Sequence, residues 1–430
     1  MEQGQTYRLS LKEKILFVLV LLFFTAIIFP TNDILTGFII GGMMLTCLLI
    51  GKPREKWVLL KQRNYILWMF LFFAWVFFSV LFSHDKGRGF TELDSRLPIL
   101  YFPLTVGLTK LNRAFRDKVL SGFAVVVTAF CLLSLLRGIY YYRKTGIADS
   151  IYSDGLTFYA DRSAVYISVL VNFSIFIFSR SIFYGVSKKR FMLVPVTVFL
   201  LLMAFLLAGR NMLFVLALTI GGFFLYYTIT QKKYKTGLVL LAGVILLGFV
   251  SIKLFPKTLN RFTDLSYFHY EFSHEGTESS YTKPTTADQW NGANFRLAAW
   301  NCGWELFTEY PVAGVFLGDK KEMLTRKYEE KNFQFAVKNY KNVHNNYLDI
   351  LYSTGIIGGI LFLVGWIGMP LQRSFRRRDY LAVLIIATYA IAMITEVYFD
   401  RSFGGMLFGF MVPFLLAGQA GGEDQELSLK

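Results

Sequence analysis

Residues 191–228, FMLVPVTVFLLLMAFLLAGRNMLFVLALTIGGFFLYYT, contain two apolar runs hinged on Ala208-Gly209-Arg210-Asn211. Each run is long enough to cross about 30 Å of hydrocarbon as a helix. Moving outward from this pair, comparable runs recur, centred on 15–29, 34–50, 66–82, 97–109, 119–136, 163–178, 237–255, 347–369, 380–399 and 403–418. Charged or turn-forming residues bound each of them. A chain of 430 residues that is 54% hydrophobic and only 17% charged cannot be arranged as soluble cores with wet surfaces. Its solvent is lipid. The expected fold is all-α: a polytopic integral membrane protein of about twelve transmembrane helices with one long loop, 256–346. The expected organisation is 1–190 as N-terminal transmembrane helices, 191–418 as a second membrane domain that includes the loop, and 419–430 as a cytoplasmic tail.

The net charge of +16 does not point to nucleic acid, because the basic residues alternate loop by loop. With the N-terminus in the cytoplasm, 23 of the 45 basic residues fall in short inner segments and nine in short outer ones. That bias puts both termini inside and the 256–346 loop outside. The first span has a basic flank in Arg8, Lys12 and Lys14. Pro30-Thr31-Asn32-Asp33 after it lacks a small-residue cleavage pattern, so the span is expected to stay. Cys47 and Cys131 fall in apolar spans and Cys302 in the loop, which suggests no disulfide. The two halves of the chain do not repeat one another, which weighs against a transporter.

Three constellations carry candidate chemistry. In the loop, residues 294–307 read as a short amphipathic helix, with Asn294 as N-cap and Pro311 just past its end. Arg296, Trp300 and Trp304 are four apart and share a face. The arginine is therefore placed either for an anion at the first turn or for stacking on Trp300 at the membrane interface. Where the loop re-enters the membrane, Val343-His344-Asn345-Asn346-Tyr347-Leu348-Asp349 offers His344 as a general base, or alternatively as a solvated helix cap. Arg210, between two spans with almost no loop, either faces a polar cavity or snorkels to the surface. Arg96, Glu396, Asp400 and Arg401 lie at the same outer level of other spans. The last three also suit an ion-paired turn. His84, His269 and His274 read as surface residues. Gly355, Gly358, Gly359, Gly365 and Gly368 give the tenth span a small-residue packing face. There is no P-loop, dinucleotide fingerprint or cysteine-histidine metal spacing, and no metal or cofactor is expected.

Taken together, these pieces resemble the O-antigen ligase and polymerase superfamily over about 191–418. The elements are the Gly209-Arg210 turn, Arg296-x-x-x-Trp300 followed by Tyr310-Pro311-Val312-Ala313-Gly314, His344-Asn345-x-Tyr347-Leu348 with Gly355 after it, and Glu396-x-x-x-Asp400-Arg401-x-x-Gly404. The chain departs from the family where Ala208-Gly209 replaces a serine-rich stretch. The resemblance implies a GT-C-like membrane glycosyltransferase. Its donor would be a glycan on undecaprenyl pyrophosphate and its acceptor a hydroxyl of lipid A-core, at a periplasmic, metal-independent and inverting site. By position, Arg210 and Arg296 would grip the diphosphate and His344 would act as base. Arg96, Trp300, Asn345, Tyr347 and Arg401 would contact substrate. A polymerase of the same superfamily is the nearest alternative, and a polysaccharide flippase or exporter is the alternative from another class.

Overall fold

The computed structural model describes residues 9–29, 32–185, 191–230, 270–274, 276–277 and 289–418, with scattered positions between 234 and 249. The expected span at 237–255 lies largely outside them, as do His269 and the tail 419–430. The helices are α1 (Leu11–Ile28), α2 (Asp33–Leu49), α3 (Pro53–Gln62), α4 (Asn64–Phe82), α5 (Lys86–Asp94), α6 (Pro98–Thr105), α7 (Arg113–Thr145), α8 (Ala164–Tyr184), α9 (Leu193–Leu207) and α10 (Arg210–Thr230). They continue as α11 (Gly292–Glu309), α12 (Lys320–Glu330), α13 (Gln334–Lys338), α14 (Asn346–Phe362), α15 (Met369–Arg376), α16 (Tyr380–Ala392) and α17 (Ser402–Ala417). Among the described residues, α4, α7, α8 and the run Asn346–Arg376 are each long and apolar enough to cross a membrane. The α2–α3 pair passes the same test only when its two helices are taken together, and they are bent by 95° at the break between them. The segment expected to span at 97–109 is shorter: α6 has eight residues, about 12 Å of helix at 1.5 Å per residue. Pro98 starts it and Pro103 removes a backbone donor from its middle, so it does not cross alone.

Large apolar side chains such as Phe38, Phe78, Phe82, Val125 and Leu218 are exposed on these helices. A water-soluble surface would not carry so many of them, whereas lipid tails leave them at no disadvantage. The protein is an integral membrane protein, and its described residues form helices and connecting turns with no strand.

The chain forms two compact units, neither of them a single stretch. The first comprises Met1–Val127, Gly303–Leu324 and Asn345–Lys430, and the second Thr128–Cys302 and Thr325–His344. In the first, Phe23, Phe24, Phe102, Phe123 and Phe410 interlock at centroid distances of 4.8–5.7 Å. A second cluster joins Phe72, Phe362, Phe399 and Phe408. Close helix approach depends on small residues, since a Cβ on Gly365 would lie 2.9 Å from the backbone carbon of Trp68 in α4.

The same unit contains a broken helix. Gly355 inside α14 has φ 68° and ψ −171°, which interrupts the hydrogen-bond ladder. The Pro311–Val315 backbone crosses at the gap: Ile356 N donates to Pro311 O and Val315 N to Tyr352 O, both at 2.8 Å. Trp75 Nε1 donates to the freed Thr354 carbonyl at 2.8 Å. Broken backbone at membrane depth is tolerated only where protein groups satisfy it in this way. A Cβ on Gly355 would sit 2.0 Å from Val312 O, and one on Gly314 (φ 71°) 2.5 Å from the Ser353 carbonyl carbon. The Ala313-Gly314 and Gly355 pieces of the motif are thus two sides of one backbone crossing.

In the second unit α8 packs along α9, and α10 lies against both. Ala208 ends α9 in the left-handed region at φ 51°. Gly209 then lies so close to α8 that a Cβ would be 2.9 Å from Ser168 Oγ. Asn172 Nδ2 of α8 donates to Met212 O at 2.9 Å. The near-absence of a loop between these helices leaves Arg210 as the first residue of α10.

Candidate active site

Helix α11 begins two residues earlier than its spacing suggests. Asn291, not Asn294, is the cap: its Oδ1 accepts from Ala293 N and Asn294 N at 2.9 Å each. The reason is packing. Asn291 and Asn294 are both buried, and Gly292, with no side chain, admits an arginine on either side. Arg296 reaches back one turn, its Nη1 donating to Gly292 O at 2.8 Å. A Cβ on Gly292 would lie 3.0 Å from Arg296 Nη1 and 3.3 Å from Arg210 Nη2. Two guanidinium groups from helices far apart in sequence therefore meet at one point, the start of α11. Asn291 takes two of the first N–H groups of that helix, and the two guanidinium groups together with the helix dipole make this end of it electropositive.

The residue after Asn294 turns to the other side. Phe295 meets the His344 imidazole edge-on, with centroids 5.4 Å apart and planes at 89°. It also packs on Phe333 and Phe335 at 6.0 Å. Lys341 Nζ lies 5.7 Å from both the Phe295 and Phe335 rings. Trp290 stacks on Phe335 at 5.6 Å and 19°, and its Nε1 donates to His274 O at 2.9 Å. This small aromatic core holds His344 against the helix that carries Arg296. The His344 backbone sits at φ 46°, and its N–H donates to Asn342 Oδ1 at 3.0 Å. The second unit thus contains all three residues: Arg296 and Arg210 meet at Gly292, and His344 packs on Phe295 of the helix that carries Arg296. Trp300 lies one turn beyond Arg296 on the same helix, and its buried indole N–H has no hydrogen-bond partner among the described residues.

The remaining expected residues belong to the first unit. Asn345 caps α14, its Oδ1 accepting from Tyr347 N and Leu348 N at 3.0 and 3.1 Å. Tyr347 OH donates to Ala390 O at 2.7 Å. Arg401 is exposed at the start of α17. Arg96 is buried among carboxylates, 3.1 Å from Glu92, 3.4 Å from Asp400 and 3.8 Å from Asp349. Lys320, buried beside it, bonds Asp349 at 2.9 and 3.0 Å and also pairs with Asp400. Tyr352 OH donates to Asp349 Oδ1 at 2.9 Å, and Lys321 closes on Glu92 at 2.7 Å. Burial opposes the Lys320 charge, but the Asp349 and Asp400 carboxylates outweigh it and hold the ammonium above its usual range. Glu92 is likewise penalised by burial, yet Lys320 and Arg96 bring it below the ordinary carboxylate value. Nothing in Gly318-Asp319-Lys320-Lys321 marks Lys320 as buried, because the run reads as a solvated turn. Among the described residues no three His, Cys, Asp or Glu side chains are grouped to hold a metal ion.

Residues 195–363 match the family model described as O-antigen ligase, a stretch that contains Arg210, Arg296, Trp300, His344, Asn345 and Tyr347. Over this segment the chain is similar to the O-antigen ligase family. No curated protein matches it. Arg96 and Arg401 lie outside the matched segment.

Proposed function

We propose that this protein is a polytopic glycosyltransferase that moves a glycan from undecaprenyl pyrophosphate to a hydroxyl of lipid A-core at the periplasmic face of the bacterial inner membrane. The observation that carries this reading is the meeting of the Arg210 and Arg296 guanidinium groups at Gly292, in the same unit as His344. Two planar guanidinium forks side by side match the geometry and charge of a diphosphate. In the reaction His344 accepts the proton of the acceptor hydroxyl as its oxygen bonds to the anomeric carbon. The anomeric carbon–oxygen bond breaks and its electron pair leaves on the pyrophosphate, where Arg210 and Arg296 offset the developing charge. A direct displacement of this kind inverts the anomeric configuration. Trp300, one turn beyond Arg296, supplies a further donor for a substrate oxygen. Asn345 and Tyr347 shape the chain just after the base, and Arg96 and Arg401 serve on the first unit.

Transfer in vitro with a defined undecaprenyl-pyrophosphate glycan tests this directly, offering lipid A-core and a second donor glycan as competing acceptors. The expected product is lipid A-core bearing one glycan with inverted linkage. Growth of the second donor instead identifies a polymerase. Retained transfer by stably inserted His344→Ala and Arg296→Ala proteins removes the catalytic assignment.

A further inference from the structure

We propose that α3 is an anionic-lipid binding element: it lies in the plane of the membrane and holds phospholipid phosphates with Lys52, Arg54 and Lys61 beside an inserted Trp57. The starting observation is the 95° bend between α2 and α3. If α2 runs across the bilayer, α3 runs along its surface. Lysines fix that angle at the C-terminal end of α2, where carbonyls and the dipole favour cations. Lys12 Nζ donates to Leu49 O at 2.7 Å, and Lys56 Nζ to Cys47 O at 2.8 Å. Arg63 at the far end is buried, its Nη1 donating to Thr109 O at 3.2 Å and also to Gly107 O. The helix is therefore held at both ends, with Leu59 buried beneath it.

Its other face is exposed among the described residues. Trp57 is 60% and Val58 45% exposed. Lys52, Arg54 and Lys61 are exposed around them, and Lys61 Nζ stands 5.5 Å from the Trp57 ring. Between residues 52 and 63 the only acid is Glu55. An exposed tryptophan flanked by bases on an in-plane helix matches the headgroup layer: the indole suits the acyl boundary and the bases meet phosphates. The charge complementarity selects anionic over zwitterionic headgroups.

The full-length protein in nanodiscs of equal parts phosphatidylglycerol and phosphatidylcholine provides the test. Native mass spectrometry should show phosphatidylglycerol retained in excess, and added salt should erode the excess. R54Q/K61Q should weaken phosphatidylglycerol retention about tenfold or more, at roughly a kcal/mol per base near the surface. R143Q/K144Q removes the same charge from the exposed end of α7 and should leave the excess intact. Brominated phosphatidylglycerol should quench more tryptophan fluorescence than brominated phosphatidylcholine, and W57F should abolish that difference. Equal loss of lipid preference in the two double variants, or Trp57 quenched equally by both lipids, overturns the proposal. Because these substitutions are at exposed side chains, unchanged thermal unfolding separates loss of binding from loss of fold. The readout is independent of glycan transfer.

Discussion

His344 sits at φ 46° on the edge of Phe295, in a region that costs a side chain bearing a Cβ about 1–2 kcal/mol. Asparagine tolerates that backbone as well as histidine does but carries no imidazole. His344→Asn is therefore expected to unfold at the wild-type temperature while transfer falls about a hundredfold or more; a matching loss of thermal stability would make the residue structural. Arg296→Lys keeps the charge and loses the fork, so transfer is expected to drop at least tenfold, measured as kcat/KM for the donor. Lys320 makes a different kind of prediction. Lys320→Met leaves Asp349 and Asp400 buried with too little counter-charge and is expected to cost about 3–5 kcal/mol, read from unfolding in detergent. The cluster also fixes a pH dependence. Glu92 is held below its ordinary 4.5, so its stabilisation is fully present above that pH and is lost as pH falls through the lower folded value. Glu92→Gln should flatten the acid side of the stability curve, and an unchanged acid limb would show that Glu92 does not contribute.

At the scale of elements, the broken α14 and the Pro311–Val315 crossing act as one joint. Gly355→Ala meets Val312 O at 2.0 Å in a left-handed backbone and is expected to cost more than about 2 kcal/mol. Gly37→Ala in α2 enters open space and is expected to leave stability unchanged or slightly higher. Equal melting temperatures for the two variants would contradict the joint. The glycines of this span were legible as small residues but not in their separate roles. Gly365 admits α4 and Gly358 lies close to Trp75, which is the packing role their spacing suggests. Gly355 instead sustains a break, and that depends on a backbone arriving from residues 311–315. Similarly, the Arg296–Trp300 face follows from helical spacing, whereas the shift of the cap from Asn294 to Asn291 follows from which asparagine oxygen reaches the first turn.

For the whole molecule, a reporter fused within residues 282–290 should report the periplasm; a cytoplasmic signal would reverse the orientation and relocate the proposed chemistry. The lipid environment, the helical character of the described residues and the similarity of the middle of the chain to the O-antigen ligase family were readable from the chain alone. Apolar length and charge bias are local properties, summed along the chain without knowledge of any contact. The meeting of Arg210 with Arg296 at Gly292, the burial of Lys320 among Asp349, Asp400 and Glu92, and the crossing at Gly355 were decided by the tertiary structure. Each joins residues remote in sequence, and a charged or glycine residue takes its role from the groups that folding sets around it.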